Sequence, residues 1–393
     1  MATVLLKPGH VQPIWAGHPW VYAQAVDRVE GGATIGDEVG VVDPRGNLLG
    51  RGFYSPGSAI PVRILVRDAN TRLDASFFRN RTQRALALRT SLGLPTEHTT
   101  GFRMINAEGD GVPGLIVDRY GDALAVQLGT VGLKQREHLV YDALWSVLAP
   151  RAIVDRTSAQ TAKTEGFISS SGVVRGDDVR AFEFVERSLR YRIPLEVGQK
   201  TGFYFDQRSL RGRVEQLAHG KRVLDAYCFV GAFAIAAARG GAREVVAVDE
   251  SAIALEAGVE CAAMNQVKGK IQFVKEDARR ALSEAKGTFD LVIVDPPRLA
   301  PTRSARDRAL SAYARLADSA CRATRPGGLL VLCSCSTAIS LEALTRALAA
   351  GATRANADVT VLERWFQGAD HPVPAAFDEG VYLKAVVARV EAR

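Results

Sequence analysis

The chain divides into three successive regions that differ in their pattern of apolar and polar residues. From Val4 to about Arg67, short β-rich runs alternate with glycine and proline, so only brief strands fit between the breakers. This pattern predicts a small closed β domain at residues 1–72. We expect its strands at these positions: Trp20–Ala23, Glu38–Val42, Leu48–Tyr54 and Ile60–Val66.

The second region, residues 73–186, contains both helical and strand periodicity. The stretch SFFRNRTQRALALRTSLGL places arginines between apolar residues and predicts an amphipathic basic helix, whose arginines either face RNA or form a solvated face. Turn residues bracket apolar runs at Leu115–Val117 and Leu124–Leu128, which indicates a meander of strands. A helix near Leu133–Leu148 and a strand at Ala152–Asp155 complete an α+β domain.

The third region, residues 187–393, shows the alternation of strands and helices typical of an α/β domain. Its clearest unit is Arg222–Glu250, in which an apolar run ends at Asp225, Gly231 marks a turn, an alanine-rich helix follows, and a β-branched strand ends at Asp249. This is a βαβ unit, which either binds a nucleotide or serves as a structural crossover.

Polar residues also follow the next three predicted strands. Asp277 follows Ile271–Val274, Asp295 follows a strand that ends at Val294, and the sequence Cys-Ser-Cys-Ser follows a strand that ends at Leu332. Open α/β sheets bind ligands at the carboxyl ends of their strands, so we expect these side chains to converge at one edge. Any single acid among them can instead cap a helix.

The βαβ unit favours a cofactor that carries no phosphate. It lacks the glycine-rich G-x-G-x-x-G sequence that cradles a pyrophosphate, and Asp225 would repel phosphate but attract the ammonium and sulfonium charges of S-adenosylmethionine. We therefore expect Asp249 at the ribose, Asp277 at the adenine amino group, Asp225 near the methionine end and Phe229 in an apolar wall.

Composition indicates which class of partner the protein binds. Lys and Arg number 50 against 43 Asp and Glu, which gives a net charge of +7 and favours nucleic acid. The five cysteines read as reduced thiols, and the six scattered histidines show no metal-ligand spacing. The sequence shows no apolar leader and no run long enough to span a membrane, so we expect a cytoplasmic protein. A homodimer is compatible with the sequence.

Two aromatic stretches have alternative interpretations. Trp20 and Tyr22 lie near several arginines and would suit stacking on unpaired bases, but they also fit the core of a small barrel. GQKTGFYFDQR contains three consecutive aromatic residues that begin at Phe203. They either cover a ligand while Lys200 and Arg208 hold its polar groups, or form a strand that packs on the sheet.

The strand ends also suggest a methylation chemistry. C5 of a pyrimidine is a poor nucleophile, and addition of a thiolate to C6 turns C5 into an enamine-like carbon that can attack a sulfonium methyl. Cys335 fits the nucleophile and Asp295 fits a hydrogen-bond partner of the base, but Cys333 lies on the same strand face and stays open. The two prolines after Asp295 would form a rigid ledge.

The chain resembles the bacterial PUA-domain family of S-adenosylmethionine-dependent large-subunit rRNA methyltransferases, which includes cytosine-C5 enzymes acting on 23S rRNA. The resemblance covers essentially the whole chain and is carried by the following motifs: NAEGDGVPGLIVDRYGD, GQKTGFYFDQR, LDAYCFVGAF, VDPPR and CSCS. It implies that residues 1–72 form a PUA-like RNA-binding domain, that Gln199 to Arg208 helps to bind the cofactor, and that Cys335 is the nucleophile.

Two departures from the family pattern are visible, and one further point agrees with the family. The first loop reads Val-Gly-Ala around Gly231 where Thr-Gly-Gly is common, and Leu299 stands where an aromatic residue is usual. As in the family, the motif at Asp295 lacks the second cysteine that other cytosine-C5 RNA methyltransferases use to release the product. The group that removes the C5 proton therefore stays open.

These observations lead to one predicted function and two rivals. We expect a Rossmann-like methyltransferase domain behind the β-barrel and α+β domains, acting on C5 of a cytosine in 23S rRNA. The rivals are an rRNA guanine N-methyltransferase of the same fold and a non-catalytic RNA-binding assembly factor. The expected site residues are catalytic Cys335 and Asp295; cofactor-binding Gln199, Lys200, Thr201, Phe203, Asp225, Phe229, Gly231, Asp249, Asp277 and Asp295; and substrate-binding Pro296, Pro297, Arg298 and Arg208.

Overall fold

The computed structural model describes residues 1–197, 201–300 and 303–393. These residues form two compact units. The first unit consists of Met1–Phe184, residues 201–203 and Ala369–Gly380, and the second consists of Val185–Val197, Tyr204–Gly368 and Val381–Arg393. The partition into three domains at residues 72 and 186 stays a prediction.

The first unit begins with a six-stranded sheet in the order β2-β6-β5-β4-β1-β3. Its elements are β1 (Ala2–Leu6), α1 (Val11–Trp15), β2 (Trp20–Val21), β3 (Val26–Glu30), β4 (Glu38–Val42), β5 (Leu48–Tyr54) and β6 (Val62–Val66). Fully buried Val4, Val39 and Val62 form part of its core, as expected for β-branched residues on the inner face of a sheet. The predicted bounds of β4 and β5 are confirmed, whereas β2 and β6 are each shorter than predicted.

Trp20 and Tyr22 are part of a packed cluster. The ring of Trp20 lies 4.6 Å from that of Phe377, and its Nε1 donates to Glu108 at 2.7 Å. The hydroxyl of Tyr22 donates to Glu379 at 2.8 Å. The rings of Trp20 and Tyr22 lie 6.2 Å apart, and both side chains are half-buried. Because both polar groups and both rings have partners inside the unit, the structure favours packing within the unit over base stacking.

The first unit continues with a five-stranded sheet in the order β11-β10-β9-β8-β7. Its elements are α2 (Ala75–Ser91), β7 (Gly101–Asn106), β8 (Leu115–Tyr120), β9 (Ala123–Leu128), α3 (Val131–Lys134), α4 (Glu137–Leu148), β10 (Ala152–Arg156), α5 (Ala159–Glu165) and β11 (Ser171–Gly176). The helix predicted near Leu133–Leu148 is confirmed at its end, since α4 ends at Leu148. It begins later than predicted, at Glu137, because the chain leaves the helical conformation at Arg136, and the residues before that point form the separate helix α3.

The prediction that the arginines of α2 face RNA or solvent is wrong for Arg89, whereas Arg79 and Arg84 are exposed. Arg89 is fully buried, and its Nη2 donates to Asp110 Oδ2 at 2.9 Å and to Asp370 O at 2.8 Å. A charged side chain is buried only where it is paired and hydrogen-bonded, and Arg89 meets both conditions. Its Nε also donates to Arg103 O in β7 at 2.8 Å, so Arg89 holds α2 to the sheet.

The second unit is built on a seven-stranded sheet in the order β16-β15-β14-β17-β18-β20-β19. Two strands, β12 (Ala181–Glu186) and β13 (Leu189–Pro194), precede it. Its elements are α6 (Arg208–Leu217), β14 (Arg222–Ala226), α7 (Ala232–Arg239), β15 (Glu244–Asp249), α8 (Ala252–Met264), β16 (Ile271–Lys275), α9 (Ala278–Glu284), β17 (Phe289–Val294), α10 (Arg306–Ala323), β18 (Thr324–Ser334), α11 (Leu341–Arg354), β19 (Ala357–Phe366) and β20 (Lys384–Ala392).

The order of this sheet creates a topological switch point at β14. β14 pairs in parallel with β15 on one side and with β17 on the other, and β20 is antiparallel to β18. Fully buried Val292, Val294 and Leu330 show why β17 and β18 read as continuous apolar runs. Crevices at such switch points are where open α/β sheets bind ligands. No helix among the described residues has the length and apolarity to cross a membrane.

A buried ion pair holds α6 in the second unit. Arg211 donates from Nε and Nη2 to the two carboxylate oxygens of Glu186, both at 2.7 Å, and from Nη1 to Tyr204 O at 2.9 Å. Both charged side chains are almost completely buried.

Replacing Arg211 alone should therefore destabilise the protein strongly. Arg211→Met leaves a buried carboxylate without its partner, and we expect the free energy of unfolding in urea to fall by about 3–5 kcal/mol. The matched control is Arg213→Met on the same helix, whose ion pair with Glu363 is partly exposed and should contribute less than about 1 kcal/mol. Equal losses in the two variants would contradict this account.

Candidate active site

The loop between β14 and α7 has an unusual backbone conformation. Tyr227, Phe229 and Gly231 have positive φ angles of 65°, 53° and 69°. This conformation is costly for residues with a side chain, and a Cβ on Gly231 would approach Phe273 to 2.7 Å. Asp249 at the end of β15 supports the loop, since its Oδ2 accepts from Phe229 N at 2.8 Å. The βαβ unit predicted from the sequence is confirmed.

Asp225 lies at the end of β14 and is fully buried. Its Oδ2 accepts from Ala234 N in the first turn of α7 at 3.0 Å, whereas its Oδ1 has no hydrogen-bond partner among the described residues. Burial raises the pKa of this carboxyl to about 8, and the nearby charges of Asp295 and Asp249 add to the effect. A buried acid with one unused oxygen fits a cationic ligand.

Asp295 follows the neighbouring strand β17 and is held by Gln207. Gln207 Nε2 donates to Asp295 Oδ2 at 2.9 Å. Gln207 is itself buried and ends the short 3₁₀ helix Phe205–Gln207. The GQKTGFYFDQR motif therefore forms neither a strand nor an open loop at this point. The role of Gln207 is one that the sequence did not reveal.

The residues after Asp295 differ in exposure. Pro296 is buried, whereas Pro297 and Arg298 are exposed. Arg298 Nη2 donates to Thr337 Oγ1 at 3.2 Å, and Ala300 N donates to Ser336 Oγ at 3.2 Å. These bonds join the loop after β17 to the loop after β18.

Cys335 occupies a turn that two buried serines fix in place. Ser334 Oγ accepts from the hydroxyl of Tyr313 at 2.8 Å, and Ser334 and Ser336 are both fully buried. Cys335 between them is partly exposed. Cys333, by contrast, is completely buried, and burial raises the pKa of its thiol well above the ordinary value. The structure therefore distinguishes two thiols that strand alternation leaves equivalent.

Lys384 is a second residue that the sequence did not reveal. It lies directly opposite Ser334 in the pairing of β18 with β20 and is almost completely buried. Its Nζ donates to Ser336 O and to Tyr382 O, both at 3.2 Å. Burial lowers the pKa of Lys384 to about 8, and the charge of Cys335 acts in the opposite direction. The feature of the sequence that could have indicated this residue is a lysine at the start of the apolar run KAVVARV.

The other predicted site residues have varied positions. Asp277 caps α9 by accepting from Arg279 N at 2.8 Å and pairs with the Arg279 side chain, which lowers the pKa of this carboxyl. Arg208 is partly buried at the start of α6. Thr201 and Phe203 are buried in the first unit, where the ring of Phe203 lies 4.9 Å from that of Phe184. Gln199 and Lys200 lie outside the described residues.

The site in the second unit therefore brings together Asp225, Asp249, Asp295 and Cys335 at the carboxyl ends of four neighbouring strands. The ring of Phe229 lies 5.5 Å from that of Tyr204 and forms an aromatic contact at the same loop. Within the part of the chain that the structure describes, no group of three or more His, Cys, Asp or Glu side chains is placed to hold a metal ion.

Comparison with known families agrees with this architecture. Residues 4–67 match a PUA-like domain, and residues 139–389 match the S-adenosylmethionine-dependent methyltransferase family. A curated relative from Shewanella denitrificans, ribosomal RNA large subunit methyltransferase I, is 35% identical over 98% of this chain and 99% of its own length. The relative of the same name from Cronobacter sakazakii is 34% identical over the same shares of the two chains.

Two solved structures share the fold across the whole chain. A protein from Streptococcus mutans assigned as an S-adenosylmethionine-dependent methyltransferase superposes with a TM-score of 0.86 at 19% identity, covering 99% of this chain and 100% of that one. A methyltransferase solved in complex with S-adenosylhomocysteine has a TM-score of 0.87 at 19% identity, with the same coverage. The expectation of a PUA-like domain followed by a Rossmann-like methyltransferase domain is confirmed.

The raised pKa of Asp225 predicts a pH dependence of cofactor binding. The pKa of Asp225 is about 8, so at lower pH the free protein carries a proton on this carboxyl. A bound ammonium or sulfonium charge favours the ionised carboxylate. Affinity for S-adenosylmethionine should therefore rise from pH 6 to 8 and level off above, with protons released on binding below pH 8. Titration calorimetry in two buffers of different ionisation enthalpy measures both quantities.

The control for this prediction is Asp225→Asn, which removes the titrating group and keeps the shape. We expect weaker binding with no pH dependence over the same range. An unchanged pH dependence in this variant would assign the titration to another group.

Proposed function

The chain belongs to the S-adenosylmethionine-dependent methyltransferase family, and from that premise we propose that it methylates C5 of a cytosine in 23S rRNA through a covalent adduct of Cys335 with C6. The ribosomal RNA target is taken from the names of its relatives, which are ribosomal RNA large subunit methyltransferases. The single observation that supports the cysteine mechanism is the partly exposed Cys335 in a fixed turn, which follows the strand next to the one that Asp295 follows and interacts electrostatically with Lys384.

The cofactor supplies an electrophilic methyl group when it is bound. Of the residues in the second unit, Asp225 would meet its cationic end, because this acid is buried with one unpaired oxygen. Asp249 would bind the ribose, Asp277 the adenine amino group, and Phe229 and Gly231 the loop side. Gln199, Lys200, Thr201 and Phe203 are assigned to cofactor binding through the family motif alone.

Cys335 has the properties required of the nucleophile. A thiolate that adds to C6 of cytosine places an electron pair at C5, so that C5 can take the methyl group from a sulfonium. The bond between the methyl group and the sulfonium sulfur would break, and the sulfur would keep the electron pair and leave as a neutral thioether. Loss of the C5 proton then allows the carbon–sulfur bond to break and returns the thiolate. Cys333 is unsuited to this role because a completely buried thiol with a raised pKa is neither accessible nor ionised.

Asp295 and Lys384 serve the same reaction in different ways. Gln207 orients the carboxylate of Asp295, so that Asp295 can accept a hydrogen bond from the cytosine. The ammonium of Lys384 favours the thiolate form of Cys335 electrostatically, and Lys384 is a positioning residue in this account. We assign Pro296, Pro297, Arg298 and Arg208 to contacts with the RNA. No residue is assigned to removal of the C5 proton.

The decisive substitution is Cys335→Ala. We expect methylation of 23S rRNA by this variant to fall below detection, because the addition to C6 that activates C5 is lost. Cys333→Ala is the matched control and should keep most of the activity. Methyl transfer to RNA from radiolabelled S-adenosylmethionine measures both, and retained methylation by Cys335→Ala would favour transfer to a guanine nitrogen instead.

Lys384→Met tests the electrostatic role of the lysine. Below pH 8 the wild-type lysine is charged, so Cys335 should react with iodoacetamide several-fold faster in the wild type than in the variant. The difference should shrink above pH 8 as Lys384 loses its proton. Mass spectrometry of the Cys335 peptide follows the reaction, with Lys384→Arg as the variant that keeps the charge. Equal alkylation rates at pH 7 in all three proteins would contradict this role.

The nucleotide target can be found in cells. A strain that lacks this protein should lose one 5-methylcytosine from its 23S rRNA, as mapped by bisulfite sequencing and mass spectrometry. Loss of a methylated guanine instead would overturn the C5 assignment. An unaltered set of rRNA modifications would favour the non-catalytic assembly factor.

A further inference from the structure

The first unit contains a cavity of about 540 Å³ with a wall rich in arginine. The cavity lies between the end of β6 and the first turns of α2. Four arginines line it, and they are Arg67, Arg72, Arg81 and Arg84. Neither the proposed chemistry nor the cofactor uses any of these side chains.

Three of the four guanidinium groups have no carboxylate partner in residues 1–197, 201–300 and 303–393. Arg67 donates to the main-chain oxygens of Ile14 at 2.6 Å and His18 at 3.2 Å, and Arg81 donates to Leu65 O at 3.2 Å. Arg84 is exposed. Main-chain carbonyls orient a guanidinium group but do not neutralise its charge. Only Arg72 has an ion pair, which joins it to Asp74 at 3.5 Å.

The uncompensated charge is held in partly dehydrated surroundings. Burial lowers the pKa of Arg67 and of Arg81, and the neighbouring charge of Arg84 lowers that of Arg81 further. Arginine remains ionised under these conditions, so the lowered values indicate positive charges that an anion would stabilise.

The two acids in the wall are already engaged by local hydrogen bonds. Asp68 accepts from Thr71 N at 2.6 Å and from Asn70 N at 2.8 Å. Asp74 caps α2 by accepting from Ser76 N at 2.9 Å. These hydrogen bonds fix both carboxylates but leave them charged, and the wall keeps an excess of positive charge because it has four arginines against two aspartates.

Arg81 is also held in place before any ligand arrives. Its guanidinium carbon lies 5.1 Å from the centre of the Phe77 ring, and its bond to Leu65 O fixes the planar group in a second direction. A fixed guanidinium group loses little side-chain entropy when it binds phosphate, with which it forms two parallel hydrogen bonds.

We propose that this cavity binds a phosphate group of the RNA backbone, with Arg81 and Arg84 as donors and Arg67 as a fixed positive charge in its wall. The volume lies in the range of about 300–1,000 Å³ that is usual for ligand sites. Arginine binds carboxylate and phosphate alike, and we choose RNA phosphate over the carboxylates of an acidic protein because the proposed function requires an RNA substrate, whose phosphates position a protein without reading the sequence. The choice of RNA rests on the proposed function, whereas the anion chemistry rests on the cavity alone.

Arg84→Ala is the test substitution, since Arg84 is exposed and its loss should leave the fold intact. The matched control is Arg79→Ala, an exposed arginine on the same helix that does not line the cavity. The measurement is binding of the full chain to a 23S rRNA transcript over a range of salt concentrations. We expect Arg84→Ala to weaken binding about three- to tenfold near 0.1 M salt and to reduce the slope of log affinity against log salt by about 0.7–1. Arg79→Ala should change neither quantity appreciably.

Several outcomes would overturn this inference. Equal losses in Arg84→Ala and Arg79→Ala would show a diffuse charge effect rather than a site. Unchanged RNA binding by Arg84→Ala, together with lost binding of poly(aspartic acid), would assign the cavity to an acidic protein. If Arg84→Ala weakens RNA binding as expected but the wild-type protein methylates no RNA, the phosphate site is supported and only the proposed function is contradicted.

Discussion

The pairing of β14 with β15 on one side and β17 on the other is the constraint on which the candidate active site depends. Parallel pairing in register places Asp225 beside Ile293 and Ala226 beside Val294, so that Asp295 follows immediately at the same edge. The chain can leave β14 only through a loop with positive φ angles, and Asp249 from β15 holds that loop. The burial of Asp225, and with it the raised pKa of this acid, follows from the same packing.

The same sheet also sets the different burial of Cys333 and Cys335. β18 pairs with β17 and buries Cys333, and the strand ends one residue before Cys335. Cys335 therefore emerges from the sheet between two serines that are themselves hydrogen-bonded. Lys384 reaches this turn only because β20 runs antiparallel to β18. The three residues to which we assign roles in the proposed reaction, Cys335, Lys384 and Asp295, thus lie at the ends of paired strands, and the pairing sets their positions.

The sequence predicts those features that depend on neighbouring residues. The alanine-rich helix predicted after Gly231 is present as Ala232–Arg239, because alanine favours helix and glycines bracket the run. The acids at strand ends were found because each directly follows an apolar strand. Gln207 and Lys384 could not be assigned, since their partners Asp295 and Ser336 are 88 and 48 residues away in the chain. Arg89 was misjudged for a related reason, because a helical pattern treats arginine as a surface residue and does not reveal Asp110 as its buried partner.

The central claim is that Cys335 forms a covalent bond to C6 of its target cytosine. RNA in which cytidine is replaced by 5-fluorocytidine tests it directly, because fluorine at C5 cannot leave as a cation and the adduct cannot release the thiol. With S-adenosylmethionine present, the wild-type protein and Cys333→Ala should each form an RNA–protein complex that survives denaturing electrophoresis, with the linkage mapped to Cys335, while Cys335→Ala should form none. A stable complex with Cys335→Ala, or active wild-type protein that forms no complex, would contradict the mechanism.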